Sequence, residues 1–195
     1  MIGQNTPGRN CSTPNPKRRD AMAVVKRKTR LEASQQDASS TLEKAPTRHD
    51  ELVHRAARWL KGTCGCSTVV TELRAFTASG ECPDAVGWRS NYSILVECKA
   101  SRSDFLADRK KKFRSSPERG IGTYRFYLCP PGIIQTDDLP ESWGLLYADE
   151  GRISRIAGPK GNSWGHGENS QYIQQRNADA EIAMLVSALR RLNSA

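Results

Sequence analysis

No stretch of this 195-residue chain approaches the roughly 18 consecutive apolar residues that a membrane-spanning helix needs. The opening MIGQNTPGRNCSTPNPKRRD also lacks the apolar core of a secretory signal, so a cytoplasmic location is expected. Zinc chemistry has little to stand on. The three histidines, His49, His54 and His166, show no His-x₃-His spacing, and Cys64-Gly65-Cys66 is too tight for a zinc knuckle. With Cys11, Cys82, Cys98 and Cys129 these cysteines read as free thiols, mostly small buried hydrophobes, and their spacings give an iron–sulfur cluster little support. Neither a Gly-x-Gly-x-x-Gly nor a P-loop pattern occurs, so nucleotide-driven work is not implied. Apolar residues make up only 37 %, so part of the chain is not core.

What is abundant is positive charge. A net charge of +9 favours an anionic partner, nucleic acid first and an acidic membrane surface second. Residues 1–46 are predicted to be a disordered basic tail, with nine Lys and Arg against four Asp and Glu. The tail could add nonspecific phosphate contacts, serve as a solvated extension, or precede a true start at Met22.

From Thr47 onward the pattern is that of a folded domain. Residues 50–61 read as a helix capped by Thr47 or Asp50, with Leu52, Val53, Ala56, Ala57 and Leu60 on one face. Strands are expected at 68–76, 85–88, 92–100 and 124–129, with a hairpin formed by 145–148 and 152–156. A basic helix capped by Ser103 should span 104–114. Residues 177–192 should close the chain as an amphipathic helix that buries Ile182, Leu185, Val186, Leu189 and Leu192. The element order indicates an α/β fold, a central mixed β-sheet flanked by helices. Residues 47–160 would form the main domain, with 161–195 a loop and helix packed upon it.

The apolar strand Ser93-Ile94-Leu95-Val96 runs straight into Glu97-Cys98-Lys99, and charge in such a place is costly unless it is paired or put to use. Side chains alternate along a strand, so Glu97 and Lys99 share a face. A tight connection at 89–91 can return the chain so that Asp84 nears Glu97. Two neighbouring carboxylates repel unless a cation neutralises them, and Mg²⁺ does so with hard oxygen ligands. A lysine alongside can stabilise charge that builds on a phosphate under attack. The Cys98 backbone carbonyl could be a further metal ligand.

Pro83-Asp84 … Glu97-Cys98-Lys99 resembles the PD-(D/E)XK, or restriction-endonuclease-like, nuclease superfamily. The longer piece ECKASRSDFLADRKKKFR also resembles MmcB-like DNA-repair proteins and small phage and prophage nucleases, which carry a similar Ser-x-x-Asp-Phe-x-x-Asp-x-Lys helix. The resemblance covers about residues 50–130. It implies a restriction-endonuclease-like core, Asp84 and Glu97 as metal ligands, Lys99 as the catalytic lysine, and Mg²⁺, with Mn²⁺ able to substitute. It implies DNA as substrate, a 5′-phosphate product, and a setting in DNA repair or phage DNA processing.

Other residues keep two readings each. Glu72 could join the acidic cluster or be a salt-bridged edge-strand residue. Glu51 could supply an extra acid from the first helix or simply favour the helix N-terminus. Arg102, Arg109, Lys110, Lys111 and Arg114 could hold substrate phosphates or form a solvated face. Trp164 could stack on a base. The expected activity is a Mg²⁺-dependent deoxyribonuclease associated with the nucleoid, possible as a homodimer or with a targeting partner. The alternatives are a catalytically silent DNA-binding module of the same fold, or a basic α/β domain in which Glu97 and Lys99 are a structural pair.

Overall fold

A computed structural model describes residues 45–73, 80–90, 92–111, 114, 116–161 and 164–194. The predicted tail therefore lies outside the described residues except for Ala45 and Pro46. Helix α1 (Arg48–Gly62) opens the fold, followed by β1 (Thr68–Thr71), β2 (Ala85–Arg89), β3 (Tyr92–Cys98) and the short α2 (Arg102–Asp108). Then come β4 (Tyr124–Cys129), β5 (Trp143–Asp149), β6 (Arg152–Ala157) and α3 (Ala178–Leu192). The six strands lie side by side in sequence order. β1, β2 and β3 are antiparallel; β4 and β5 run parallel to β3, and β6 turns back antiparallel. The fold is thus a mixed α/β sheet flanked by helices, as the element order predicts. No helix among the described residues is long and apolar enough to cross a membrane.

Local chemistry explains most element ends. Thr47 and Asp50 form a reciprocal capping box, the Asp50 carboxylate accepting the Thr47 N–H at 2.7 Å. Asn177 caps α3 by accepting the Ala180 N–H at 2.9 Å. The β5–β6 turn places Glu150 at φ 30° and Gly151 at φ 82°, two left-handed residues of the kind a two-residue hairpin requires.

The sheet is covered on both faces. Against α1 pack Ile94, Val96, Cys98, Tyr124, Phe126 and Leu128. On the opposite face Leu95, Phe105, Tyr127, Trp143, Leu145 and Met184 form a second cluster beneath α2 and α3. Gly122 sits in the loop just before β4. Its φ is +89°, and an added Cβ would lie 2.7 Å from the Leu95 Cβ. Gly122→Ala should therefore cost about 2–4 kcal/mol, from left-handed strain and overpacking together. A urea midpoint unchanged from wild type would refute this.

Several expectations need correction. β1 stops at Thr71, and Glu72 lies beyond it at φ 46°, so it is not a mid-strand residue. Residues 74–79 of the expected strand lie outside the described residues. α2 is capped by Ser101 and ends at Asp108, six residues before the predicted end at 114. The run Arg109-Lys110-Lys111 carries like charges that disfavour a continued helix, and the Arg114 guanidinium is drawn inward by carboxylates. Leu106 is exposed, while its neighbour Phe105 is buried. The apolar face assigned to α3 points the other way. Ala180, Glu181 and Met184 are buried, whereas Ile182, Val186, Leu189 and Leu192 are exposed. The reason is polar. Glu181 reaches the β2–β3 hairpin and the loop before β4 to accept from Ser93 Oγ at 2.7 Å, Gly122 N at 2.9 Å and Trp88 Nε1 at 3.2 Å. Those bonds fix the rotation of the helix about its axis.

Candidate active site

The β2–β3 hairpin builds the site. Its register pairs Ala85 with Val96, which sets Asp84 against Glu97 one step further along. The Asp84 Oδ2 accepts the Cys98 N–H at 2.7 Å. Alternation puts Glu97 and Lys99 on the face with Leu95, beneath α2. The sequence-predicted Asp84, Glu97 and Lys99 therefore come together.

The structure adds residues that the sequence did not single out. Lys99 Nζ lies 3.2 Å from Glu97 Oε2 and 3.4 Å from Asp108 Oδ1. Asp108 also accepts from Arg114 Nε at 2.8 Å and from the Tyr127 hydroxyl at 2.9 Å. Arg114 then reaches Glu81 Oε1 at 2.7 Å and Glu97 Oε1 at 3.1 Å, and stacks 4.8 Å over the Trp143 ring. Arg114 is thus corrected from a nucleic-acid contact to a buried organiser, its side chain only 3 % exposed. Glu81 also accepts the Ile121 N–H at 2.8 Å, which ties the loop before Pro83 to the loop before β4.

Asp108 had a signal in the sequence. It lies three residues after Phe105, and both point from α2 into the sheet. Glu81 had none, because nothing local marks a loop glutamate as buried.

His49, first read as one of three scattered histidines, lies at the start of α1. Its Nε2 is 3.5 Å from Asp84 Oδ1 and 4.0 Å from Glu72 Oε1. Glu72 is held to the rim because its backbone N–H donates to the Asp84 carbonyl at 3.1 Å. Its side chain is exposed, so it is a rim residue and not a member of the buried cluster. Glu51 does not reach the site. It faces solvent and lies 3.9 Å from Arg55.

The proposed phosphate contacts divide. Arg102 is committed to Asp138, with Nη2 2.6 Å from Oδ1. Lys111 Nζ lies 2.7 Å from Asp108, while its chain stays exposed. Arg109 and Lys110 are exposed, with the Arg109 guanidinium 5.9 Å over the Phe105 ring. Trp164 is not available to a base. It is buried against Tyr92, Tyr124 and Phe126, with Arg155 over its ring. Burial pushes the Cys64 thiol up to about 12 and the Cys66 thiol up to about 11, so neither is a nucleophile at neutral pH.

The electrostatics are those of an acid-rich pocket held by cations. Burial, reinforced by the Glu97 charge, raises the Asp84 carboxyl to about 6. Burial likewise raises Glu81, against the pull of Arg114. Burial opposes the Asp108 carboxylate too, but hydrogen bonds and charge from Arg114, with Lys99, hold it well below the usual range. Burial works against the Lys99 ammonium, yet Glu97, Asp108 and Asp84 together raise its pKa. Lys99 is therefore a cation here and cannot act as a general base in this state.

These donors fit a divalent ion by charge and type. Glu81, Asp84, Glu97 and Asp108 stand against two buried cations, Lys99 and Arg114, before the exposed Lys111 is counted. With Lys111 counted, four ionised carboxylates exceed the cations by one negative charge. Glu97 Oε1 is buried and has no hydrogen-bond donor in line with it, although Arg114 lies within ion-pair distance. Mg²⁺ commonly uses one or two carboxylates and completes its shell with water and phosphate oxygens. Among the described residues no three His, Cys, Asp or Glu side chains are arranged as a protein-only metal cage.

No family model matches this chain, and no curated protein matches it. Among solved structures it is similar to the SPO1766 protein of unknown function from Silicibacter pomeroyi, with a TM-score of 0.52 and 23 % identity. The match covers 78 % of this chain and 92 % of that one. Such a likeness shows a shared fold, so the α/β architecture is common to both proteins while the chemistry rests on the residues themselves.

Proposed function

We propose that this protein is a divalent-metal-dependent deoxyribonuclease of the PD-(D/E)XK type that acts through Asp84, Glu97 and Lys99. The observation that carries the reading is the hairpin register, which sets Asp84 opposite Glu97 with the Lys99 ammonium 3.2 Å from Glu97. Asp84, Glu97 and the Cys98 carbonyl would hold Mg²⁺ or Mn²⁺, which supplies Lewis-acid stabilisation of a phosphodiester. The chain's own residues set the rest. Lys99 places a positive charge where negative charge grows on the phosphate. Asp108 and Arg114 fix Lys99 and Glu97 in position, so neither must reorganise during the reaction. Burial beneath α2 keeps the local dielectric low and strengthens these charges.

A second reading has one observation in its favour. Both Glu97 oxygens face cations, Lys99 on one side and Arg114 on the other. Such an arrangement also suits a nuclease fold that binds DNA without cutting it. Incubating wild type and Asp84→Ala with supercoiled, linear, single-stranded and branched DNA, in Mg²⁺, Mn²⁺ or EDTA, separates the two. Metal-dependent cleavage by wild type alone is the expected result. Equal DNA binding by both proteins with no cleavage by either would leave the binding module.

A further inference from the structure

The basic run after Lys99 is not where the free arginines converge. A cleft of about 370 Å³ lies between α1 and the β5–β6 turn, lined by Arg55, Arg58, Trp59, Thr63, Arg152 and their neighbours. It brings three arginines and a threonine hydroxyl together, and none of its lining side chains is acidic.

The three arginines are held differently. Arg55 is 9 % exposed, and its Nη2 donates to the Arg152 carbonyl at 2.7 Å and the Asp149 carbonyl at 3.3 Å. These bonds lock the turn that presents Arg152. The Arg55 Nε is buried without a hydrogen-bond partner, and among the described residues the guanidinium's ion pair is a long one, Nη1 to the exposed Glu51 at 3.9 Å. A buried guanidinium so weakly compensated is costly, and an anion entering the cleft would lower that cost. Arg58 and Arg152 are exposed and form no ion pair among the described residues. Their planar donor forks suit phosphate oxygens better than ammonium groups would.

Arg58 also lines a second groove, of about 420 Å³, on the other side of α1. That groove runs between α1 and β1, past Lys61, His54, Thr71 and Asp50, and reaches Glu72 at the rim of the candidate active site; the Asp50 carboxylate is turned to the Thr47 N–H in the helix cap. From His49 to Arg58 the helix rises roughly 14 Å at about 1.5 Å per residue, about four phosphate steps of one duplex strand. The arginine cleft therefore sits at the far end of a path that leads to Asp84.

We propose that the cleft formed by Arg55, Arg58 and Arg152 is a phosphate-binding site for the backbone of a nucleic-acid strand, which then follows α1 to the Asp84–Glu97 site. This rests on the nuclease reading for the strand's destination but not for the binding itself. Arg58 and Arg152 make the contacts, and Arg55 positions the turn from beneath.

The test is binding of a labelled DNA oligonucleotide to the full chain in EDTA, where cleavage cannot intervene, across a range of salt concentrations. Arg58→Gln/Arg152→Gln should weaken binding about tenfold and lower the salt slope by about 1.4–1.8, as expected for two lost phosphate contacts. Arg109→Gln/Lys110→Gln, on the other basic surface, should do less on both measures. An unchanged slope in the first variant would overturn the proposal, and so would an equal effect in the second. A wild type that does not bind DNA would also overturn it. Inorganic phosphate, compared with chloride at equal ionic strength, should not displace the DNA at low millimolar concentration. Displacement would mean a site for a free phosphate ligand instead of a strand. Because cleavage is read separately, a strand-binding cleft without metal-dependent cutting would remove the catalytic reading and leave this one standing.

Discussion

Asp84→Asn should make the metal-free protein more stable at neutral pH and abolish cleavage. The Asp84 carboxyl titrates at about 6 in the folded protein, against an ordinary 3.8, because burial and the Glu97 charge disfavour its ionised form. A raised acid favours the protonated fold. Stability from this group is therefore highest below pH 4, falls as pH rises toward 6, and stays reduced above it. The penalty is on the order of 3 kcal/mol for a shift of this size. Asparagine removes the charge and keeps an oxygen that can accept the Cys98 N–H. The variant should thus melt above wild type at pH 8 and together with it at pH 4. Mg²⁺ should close the gap at pH 8 by stabilising only the wild type. Cleavage should fall by at least about a thousandfold, the scale of losing a principal source of electrostatic stabilisation. A variant that melts below wild type at pH 8, or one that keeps its activity, would remove Asp84 from the proposed role.

The second large effect concerns Arg114. It bridges Glu81, Asp108 and Glu97, all buried, and packs on Trp143. Arg114→Met would leave three carboxylates without their shared cation, and breaking buried pairs in this way costs about 3–5 kcal/mol. Arg114→Lys should recover only part, because a compact ammonium cannot reach three carboxylates as a planar fork does. The pH dependence has a definite sign. Arg114 holds Asp108 well below its ordinary range, and that stabilisation is present above the ordinary pKa and lost as pH falls through the folded one. The deficit of Arg114→Met should accordingly be largest at pH 7–8 and shrink toward pH 4, as the stranded carboxylates take up protons. Urea denaturation at the two pH values measures this. A loss under about 1 kcal/mol, or one equal at both pH values, would mean that Arg114 is peripheral.

Both predictions come from a site that was half legible. The Asp84–Glu97–Lys99 set could be read because each step is local. Strand alternation places Glu97 and Lys99 on one face, and the short connection between β2 and β3, with Arg89 paired to Tyr92, sets the register that brings Asp84 across. The cap of α1 by Thr47 or Asp50, β4 and the β5–β6 turn were readable for the same reason.

What could not be read depends on residues far apart in sequence. Arg114 resembles its lysine neighbours in a charge run, and only the nearness of Glu81 and Glu97 makes it a buried organiser. Glu51 and His49 are two residues apart at the start of α1, and the helix's seating on the sheet decides that His49 and not Glu51 meets Asp84. Trp164 belongs to a loop by every local signal, yet it closes an aromatic cluster over β4. In α3 the apolar stripe predicts one buried face, but Glu181 and its partners from β2, β3 and the loop before β4 turn the helix so that much of the stripe meets solvent. The sequence by itself determined the order of elements, the strand pairing about the hairpin and the acid–lysine set, because those follow from periodicity and turn chemistry. Only the tertiary structure decided which charges are buried together. A carboxylate or guanidinium is excluded from water by whatever packs over it, and the residues that do so here lie tens of positions away along the chain.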